Sequence, residues 1–434
     1  MSIALPSLPA GWSRTRVDRV ATVNARIGWK ALTAAEYQAD GYAFLSTPNI
    51  KGSEIDFSNV NYISEFRYEE SPELQLKTGD VLLAKDGNTL GIVNIVRELP
   101  RPATVNGSIA VIRSTGIDPS YLRHVLTSRP TQETINMLKG GMGVPHLFQW
   151  DINRLPIPLP PPDEQHRIAR FLDTETSRID RLMTLRKAQF KLLSERSKTY
   201  KHARVTESNR RTTELRELDW LGPVPAVWGA PLLNRISRFT MGTTFPHEYQ
   251  GNRSGDFPFI KVGDFARADE IGRLGSAENW ISHNTARKLG AKIVPAGAIL
   301  YARVGAALLL NRRRITLRPS VIDDNVRAIS FSEGDPRYWL NVLSLLDMGQ
   351  LMNPGPVPSI SEGQVSAVRV PKPPLSKQSQ IADDLERYQL SQRRVEESLN
   401  AQMTLLTERR QALITAAVSG QIDVSTASGR GIEE

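Results

Sequence analysis

Cysteine is absent from all 434 residues. That excludes a disulfide framework, thiolate zinc sites and a cysteine nucleophile, and it fits a reducing compartment. Histidine is sparse. The six residues, at 124, 146, 166, 202, 247 and 283, include no i, i+4 pair, so no metal site is expected. No apolar run suits a membrane span, because "VPAGAILYARVGAALLL" is interrupted by Pro295 and Arg303. The opening "MSIALPSLPAGWSRTR" lacks a basic start followed by an unbroken apolar stretch. No signal peptide is therefore expected, and the expected location is the cytoplasm. Catalytic loops are missing as well. There is no Gly-x-x-x-x-Gly-Lys-Ser/Thr phosphate loop. "NPGPVP" at Asn353 lacks the aromatic that follows Asn-Pro-Pro in amino-methyltransferases. Asp323-Asp324 has no Glu-x-Lys companion of the nuclease kind and reads as a solvated turn. The chain is expected not to be an enzyme.

What is present can fold. Hydrophobic residues make up 40%, enough for packed cores, and the length suits two to four domains. Lys and Arg total 55 against 46 Asp and Glu, a net charge of +9 that admits a polyanionic partner without requiring one.

The chain repeats itself. Pro-Ala-x-Trp occurs at Pro9–Trp12 and again at Pro225–Trp228. "LKTGDVLLAKDGNTLG" from Leu76 is answered by "VPAGAILYARVGAALL" from Val294: a glycine turn, an apolar strand, a basic residue and another glycine. "GIDPSYLRHVL" from Gly116 matches "EGDPRYWLNVL" from Glu333, and "VPHL" at Val144 matches "VPSI" at Val357. "LPIPLPPPDEQ" from Leu155 and "VRVPKPPLSKQ" from Val368 each run from a strand through prolines into a long charged stretch. Those stretches align at an offset of 213 residues, "AQFKLLSERSK" from Ala188 on "AQMTLLTERRQ" from Ala401. Such self-similarity marks a duplicated architecture.

The charged stretches carry apolar residues in alternating steps of four and three, the seam of a coiled coil. In the first copy it holds Ile168, Leu172, Ile179, Leu182 and Leu193. In the second it holds Ile381, Leu385, Tyr388, Val395, Leu399, Leu406 and Leu413. Prolines stop the preceding strand and are tolerated only in the first helical turn, so each junction joins a globular part to a rod. The globular parts show short β-like runs such as "DVLLA", "IAVIR" and "AILYA" among Gly, Pro, Asn and Asp, with a few helical windows. The expected class is α+β, with largely antiparallel sheets and two long helices paired as an antiparallel coiled coil around an internal pseudo-twofold repeat. Trp12 and Trp228 are expected to pack in the two cores.

Two domains that begin near Pro-Ala-x-Trp, end "IPLPPPDEQ" or "VPKPPLSKQ" and lead into long helices resemble the specificity subunits of type I restriction-modification systems. "LDWLGPVPAVW" from Leu218 and "ERRQALITAAVSGQID" from Glu408 are especially similar to that family, and the resemblance covers nearly the whole chain. It implies target-recognition domains at 1–157 and 220–373, spacer helices at 158–206 and 374–420, a link at 207–219 and a flexible tail at 421–434. It implies that each domain reads one half of an asymmetric, split site on double-stranded DNA. Two methyltransferase subunits would bring S-adenosylmethionine, and restriction/translocase subunits would bring ATP and Mg; this chain itself would carry no cofactor.

For base or phosphate contact the polar loops offer Lys51, Lys85, Asn88, Thr89, Asn106, Ser108, Lys139, His146 and Gln149 in the first copy. The second offers Lys261, Arg267, Arg303, Asn311, Arg312 and Arg313. Arg or Lys can hold guanine O6 and N7, and Asn or Gln can hold adenine N6 and N7. The basic run Asn311–Arg314 suits phosphate before base. A solvated or structural role is the alternative for each. The alternatives for the whole chain are a coiled-coil scaffold that binds protein without reading DNA, and a recognition domain fused to its own chemistry.

Overall fold

The computed structural model describes residues 8–25, 32–140, 145–207, 214–353 and 355–424. The remaining positions, which include Val144 of the repeated Val-Pro pair, lie outside the described residues. The chain divides into two units, Met1–Lys187 with Ala401–Glu434, and Ala188–Asn400.

The first unit contains β1 (Ser13–Arg16), β2 (Ala21–Asn24), β3 (Tyr42–Leu45), β4 (Asn61–Ile63), β5 (Val81–Ala84), β6 (Val93–Ile95), β7 (Ala103–Val105), β8 (Ile109–Ser114) and β9 (Pro156–Leu159). The second contains β10 (Leu215–Leu218), β11 (Gly222–Pro225), β12 (Ser237–Met241), β13 (Phe257–Ile260), β14 (Arg273–Leu274), β15 (Asn279–Ile281), β16 (Ile299–Ala302), β17 (Arg313–Thr316), β18 (Val321–Ile322) and β19 (Val326–Phe331). Sheet order 2-8-5-6 in the first unit is matched by 12-19-16-17, with β14 added at the edge, in the second. Order 4-3-7 is matched by 15-13-18. The duplication read from sequence is therefore a duplication of topology. The sheets are largely antiparallel, as the sequence leads one to expect, with three parallel exceptions: β3 runs parallel to β7, β13 to β18 and β14 to β17. Alternating burial shows no strand direction, which is why the sequence did not single out the parallel pairs.

The strand–proline–helix junction is held identically in both units. Gln165 and Gln378, the glutamines of "DEQ" and "SKQ", are buried. Gln165 Nε2 donates to the Pro160 carbonyl (2.8 Å), and its Oε1 accepts from the Asp118 N–H (2.9 Å). Gln378 does the same with Pro373 (2.8 Å) and Asp335 (3.0 Å). Asp118 and Asp335 cap the Asp-Pro helices Pro119–Thr127 and Pro336–Leu345. Buried Tyr121 and Tyr338, from those helices, donate their hydroxyls to the proline strand at Pro158 and Pro371. One amide thus satisfies polar groups on both sides of the junction, and prolines leave carbonyls there for it to bind. Trp12, half-buried, donates Nε1 to Glu164 (3.0 Å), whereas Trp228 is buried. Lys377, at the position of Glu164, pairs with Glu207 instead.

The long helices run Pro162–Thr206 and Leu375–Val418, 45 and 44 residues. At 1.5 Å per residue each spans about 66 Å. They are in contact. Within the second unit Tyr200 stacks on Tyr388 (centroids 4.0 Å apart) and Arg204 pairs with Asp384, an antiparallel register. Within the first, Arg410 meets Asp180 (3.1 Å), and Ile414, Ala417 and Val418 join the core that holds Ile168 and Leu172.

Ile168, Leu172, Ile179, Ile381, Leu385 and Leu399 are buried; Leu193, Tyr388, Leu406 and Leu413 are half-buried. Two seam expectations need correction. Leu182 and Val395 are each 40% exposed, and their successors Met183 and Glu396 turn inward. A strict seven-residue pattern drifts by about 20° per heptad on a 3.6-residue helix, so the buried line walks to the next residue, at equivalent places in both copies.

Ordered elements fall in two of the expected connecting stretches. The expected link at 207–219 contains β10, which pairs with β11 through a turn closed by Gly222 at φ +86°. In the expected tail, Ile422 and Val424 pack on the first unit's core, and only 425–434 lie outside the described residues.

Candidate nucleic-acid interface

The residue after the central strand of each unit sits in the same backbone frame. In the first unit, Lys85 N–H donates to Ser108 O (2.8 Å) and Leu147 N–H donates to Lys85 O (2.9 Å). Gly87 N–H then donates to Pro145 O (2.9 Å). In the second, Arg303 N–H donates to Asn325 O (3.0 Å), Ile360 N–H to Arg303 O (3.0 Å) and Gly305 N–H to Pro358 O (2.8 Å). Gly87 and Gly305 both hold positive φ, +67° and +74°, where a side chain is strained. Pro145 to Leu147 and Pro358 to Ile360 thus dock on equivalent strand-end loops.

A second shared part is the turn before the long strand. Asn106 Oδ1 accepts from Ser108 N–H (3.1 Å), and Asp323 Oδ2 accepts from Asn325 N–H (3.3 Å). Asn106 and Ser108 in one unit therefore correspond to Asp323 and Asn325 in the other. Around this common frame the side chains differ. His146 hydrogen-bonds Asp86 through Nδ1, whereas Ser359 stands at the matching position in copy two. Arg303 donates Nε to the Asp324 carbonyl (2.9 Å). Arg327 is half-buried nearby, and burial together with the neighbouring Arg303 charge pulls its guanidinium below the usual value.

Several candidates are structural in this fold. Lys85 is 2% exposed and pairs with Asp86 (3.2 Å), because the strand-end position turns its stem into the core. Arg313 is 5% exposed; it spends its Nη groups on Asn311 Oδ1 and the Leu346 carbonyl (3.0 Å each), and burial brings it down to about 10. Asn311 adopts positive φ (+52°) and ties that turn to Leu346 and Met348. In this fold these three serve the framework, most of their polar groups holding loops.

Lys51, Asn88, Lys139 and Arg312 are exposed. Thr89 donates to the Asp86 carbonyl (3.1 Å), and exposed Gln149 donates to the Val23 carbonyl (2.7 Å). Lys139 also reaches Asn136 Oδ1 (3.3 Å). Lys261 donates to Gln250 (3.0 Å) over the Phe245 ring, and Arg267 pairs with Asp264 (3.1 Å). Sequence reasoning passed over Phe148 and Trp150. Their rings stack 6.3 Å apart, Trp150 is 55% exposed, and Arg154 lies 5.6 Å from its ring. The available signal was "FQW" opposite "SEG" at the 213-residue offset, aromatics in one copy only.

Among the described residues, no cluster of three or more His, Cys, Asp or Glu could hold a metal, and no helix is long and apolar enough to cross a membrane.

Residues 9–191 match the type I restriction modification DNA specificity domain. The chain is 21% identical over 445 residues to the type I restriction enzyme StySPI specificity subunit of Salmonella potsdam, covering 96% of this chain and 90% of that protein. It is 24% identical over 200 residues to the EcoKI specificity subunit of Escherichia coli, covering 45% and 42%. Among solved structures, a chain from work on complex assembly and conformational transition of the type I R-M system matches with TM-score 0.71 at 17% identity, covering 96% of this chain and 100% of that one. The HsdS subunit of Thermoanaerobacter tengcongensis matches with TM-score 0.50 at 18% identity, covering 97% and 100%. A duplicated topology, two paired long helices and these likenesses converge: residues 9–191 carry the type I restriction modification DNA specificity domain, and nearly the whole chain is similar to a type I restriction enzyme specificity subunit.

Proposed function

We propose that this chain reads a bipartite, asymmetric site on double-stranded DNA, one half-site by each β-rich region, with the long helices setting the gap. The observation that carries this is the common backbone frame holding unlike side chains. Asn106, Ser108 and His146 are replaced in copy two by Asp323, Asn325 and Ser359. Amide, hydroxyl and imidazole groups in this order present a different donor and acceptor pattern from carboxylate, amide and hydroxyl, so the two halves suit different bases. The recognition domains, 1–157 and 220–373, would act as separate readers. The chain would itself be non-catalytic. Two methyltransferase subunits would bring S-adenosylmethionine, and restriction/translocase subunits would bring ATP and Mg.

Duplex binding by the purified chain is expected to weaken linearly in log affinity against log salt, by about 0.9 per phosphate neutralised. Salt-independent binding, or none, would favour a protein-binding scaffold. Methyl transfer by the isolated chain would overturn the non-catalytic assignment.

A further inference from the structure

The second unit has a cleft of about 440 Å³ where the first long helix faces the helix Pro336–Leu345 and the start of β17. Its cations are short of anions. Lys201 donates Nζ to Ser344 Oγ (2.9 Å), and burial alone lowers its ammonium to about 8. Arg313 gives its Nη groups to neutral oxygens, and its buried Nε has no hydrogen-bond partner. Arg314 gives Nε to the Phe265 carbonyl (2.7 Å). Lys198 and Arg312 stand exposed at the rim. Of the carboxylates there, Asp269 accepts from the backbone N–H groups of Ile271 and Arg273, Glu396 lies 3.9 Å from Arg393, and Glu270 completes the set. Five cations against three carboxylates leave the cleft positive. A buried cation that has no hydrogen-bonded carboxylate is costly until an anion arrives.

The duplication supplies the control. At the 213-residue offset Lys201 corresponds to Ile414, fully buried among apolar side chains of the first unit. The strand registers put Val93 where Arg313 stands, since Leu83 faces Val93 and Tyr301 faces Arg313. Packing at these positions is satisfied by aliphatic residues in one copy; the other places positive charge there.

We propose that this cleft binds a phosphate group, held by Lys201, Lys198 and Arg312 with the hydroxyls of Ser197 and Ser344, in the positive field of Arg313 and Arg314. The phosphate could belong to a free phosphate monoester or to a nucleic-acid backbone; the chemistry of recognition is the same.

The test uses the full chain, comparing thermal unfolding and equilibrium binding in inorganic phosphate and in chloride at equal ionic strength. Phosphate is expected to stabilise the wild type beyond chloride with one site per chain. Lys201→Ile, which installs the residue of the other copy, is expected to weaken that site by about tenfold or more. Arg312→Ser, at an exposed position, is expected to weaken it as well and decides the matter if the first variant fails to fold. An unchanged phosphate response in both variants, or equal stabilisation by chloride, overturns the proposal. Competition by a DNA duplex assigns the site to a backbone phosphate, and lack of competition assigns it to a free one; both require the site.

Discussion

At the residue scale, what a side chain is and what it can do diverge according to where the backbone puts it. Lys85 and Arg313 look in sequence like DNA contacts, yet their cationic ends lie buried inside the fold, on Asp86 in one case and on neutral oxygens in the other. Burial depends on the register of β5 and β17, which no local pattern announces. Asn88 is the contrary case: it lies exposed on the strand-end loop. Asn88→Ala is expected to relax one base position of one half-site, at about 1–3 kcal/mol, while leaving the other half-site intact. Uniform weakening across both half-sites in a methylation assay would show that Asn88 reads no base.

His124 carries a second residue-scale prediction. It is fully buried, 2.8 Å from Asp173 through Nε2, with no partner for Nδ1. Burial lowers its imidazole to about 4, and the Arg123 and Arg410 charges add to the effect, although the Asp173 hydrogen bond opposes it. Burial works against ionising Asp173, but its hydrogen bonds to His124 and Arg97 hold that carboxyl below the usual range. A protonated ring would bury an N–H with no acceptor, so the folded imidazole is neutral. Its folded pKa lies below its unfolded one, so this stability is present above about 6.5 and lost as pH falls toward 4. The first unit should lose about 2 kcal/mol between pH 7 and pH 5 in urea unfolding. His124→Asn, the residue of the equivalent Asn341 site, should flatten that slope; an unaltered slope would place the acid sensitivity elsewhere.

At the scale of elements, the junctions were the most legible part of the chain. Paired prolines, an Asp-Pro helix start and a fixed glutamine recur in sequence because one buried amide bridges strand, short helix and long helix in each unit. Gln165→Ala should destabilise the first unit by about 1–3 kcal/mol, the cost of leaving buried partners unsatisfied; an unchanged denaturation midpoint would mean the amide is dispensable. The helix seam was legible at most positions, Leu399 and Leu413 included, and failed locally at Leu182 and Val395, because a straight helix does not keep a strict seven-residue period. The parallel pairings β3–β7 and β13–β18 were not legible, since strand direction comes from crossovers between distant segments. Deleting one heptad from each long helix removes about 10 Å of rise, so the unread gap should contract by about three base pairs with both half-sites unchanged. Altered half-site bases in that variant would break the link between helix length and spacing.

At the scale of the whole molecule, duplication is the organising fact. It was visible in sequence as matched motifs at a near-constant offset and is present in structure as two sheets pairs of the same strand order. Within that sameness, the side chains on the strand-end loops differ, and that difference is what an asymmetric target requires. A chain built from two copies of residues 1–206 should therefore specify a palindromic site.

The most direct test of the central claim is genome-wide adenine methylation in cells carrying the chain and the proposed methyltransferase partner, compared with cells lacking only the chain. The account predicts a split motif, two short specific half-sites around a fixed gap, methylated only when the chain is present. Methylation at the same positions without it would contradict the claim that this chain is the reader.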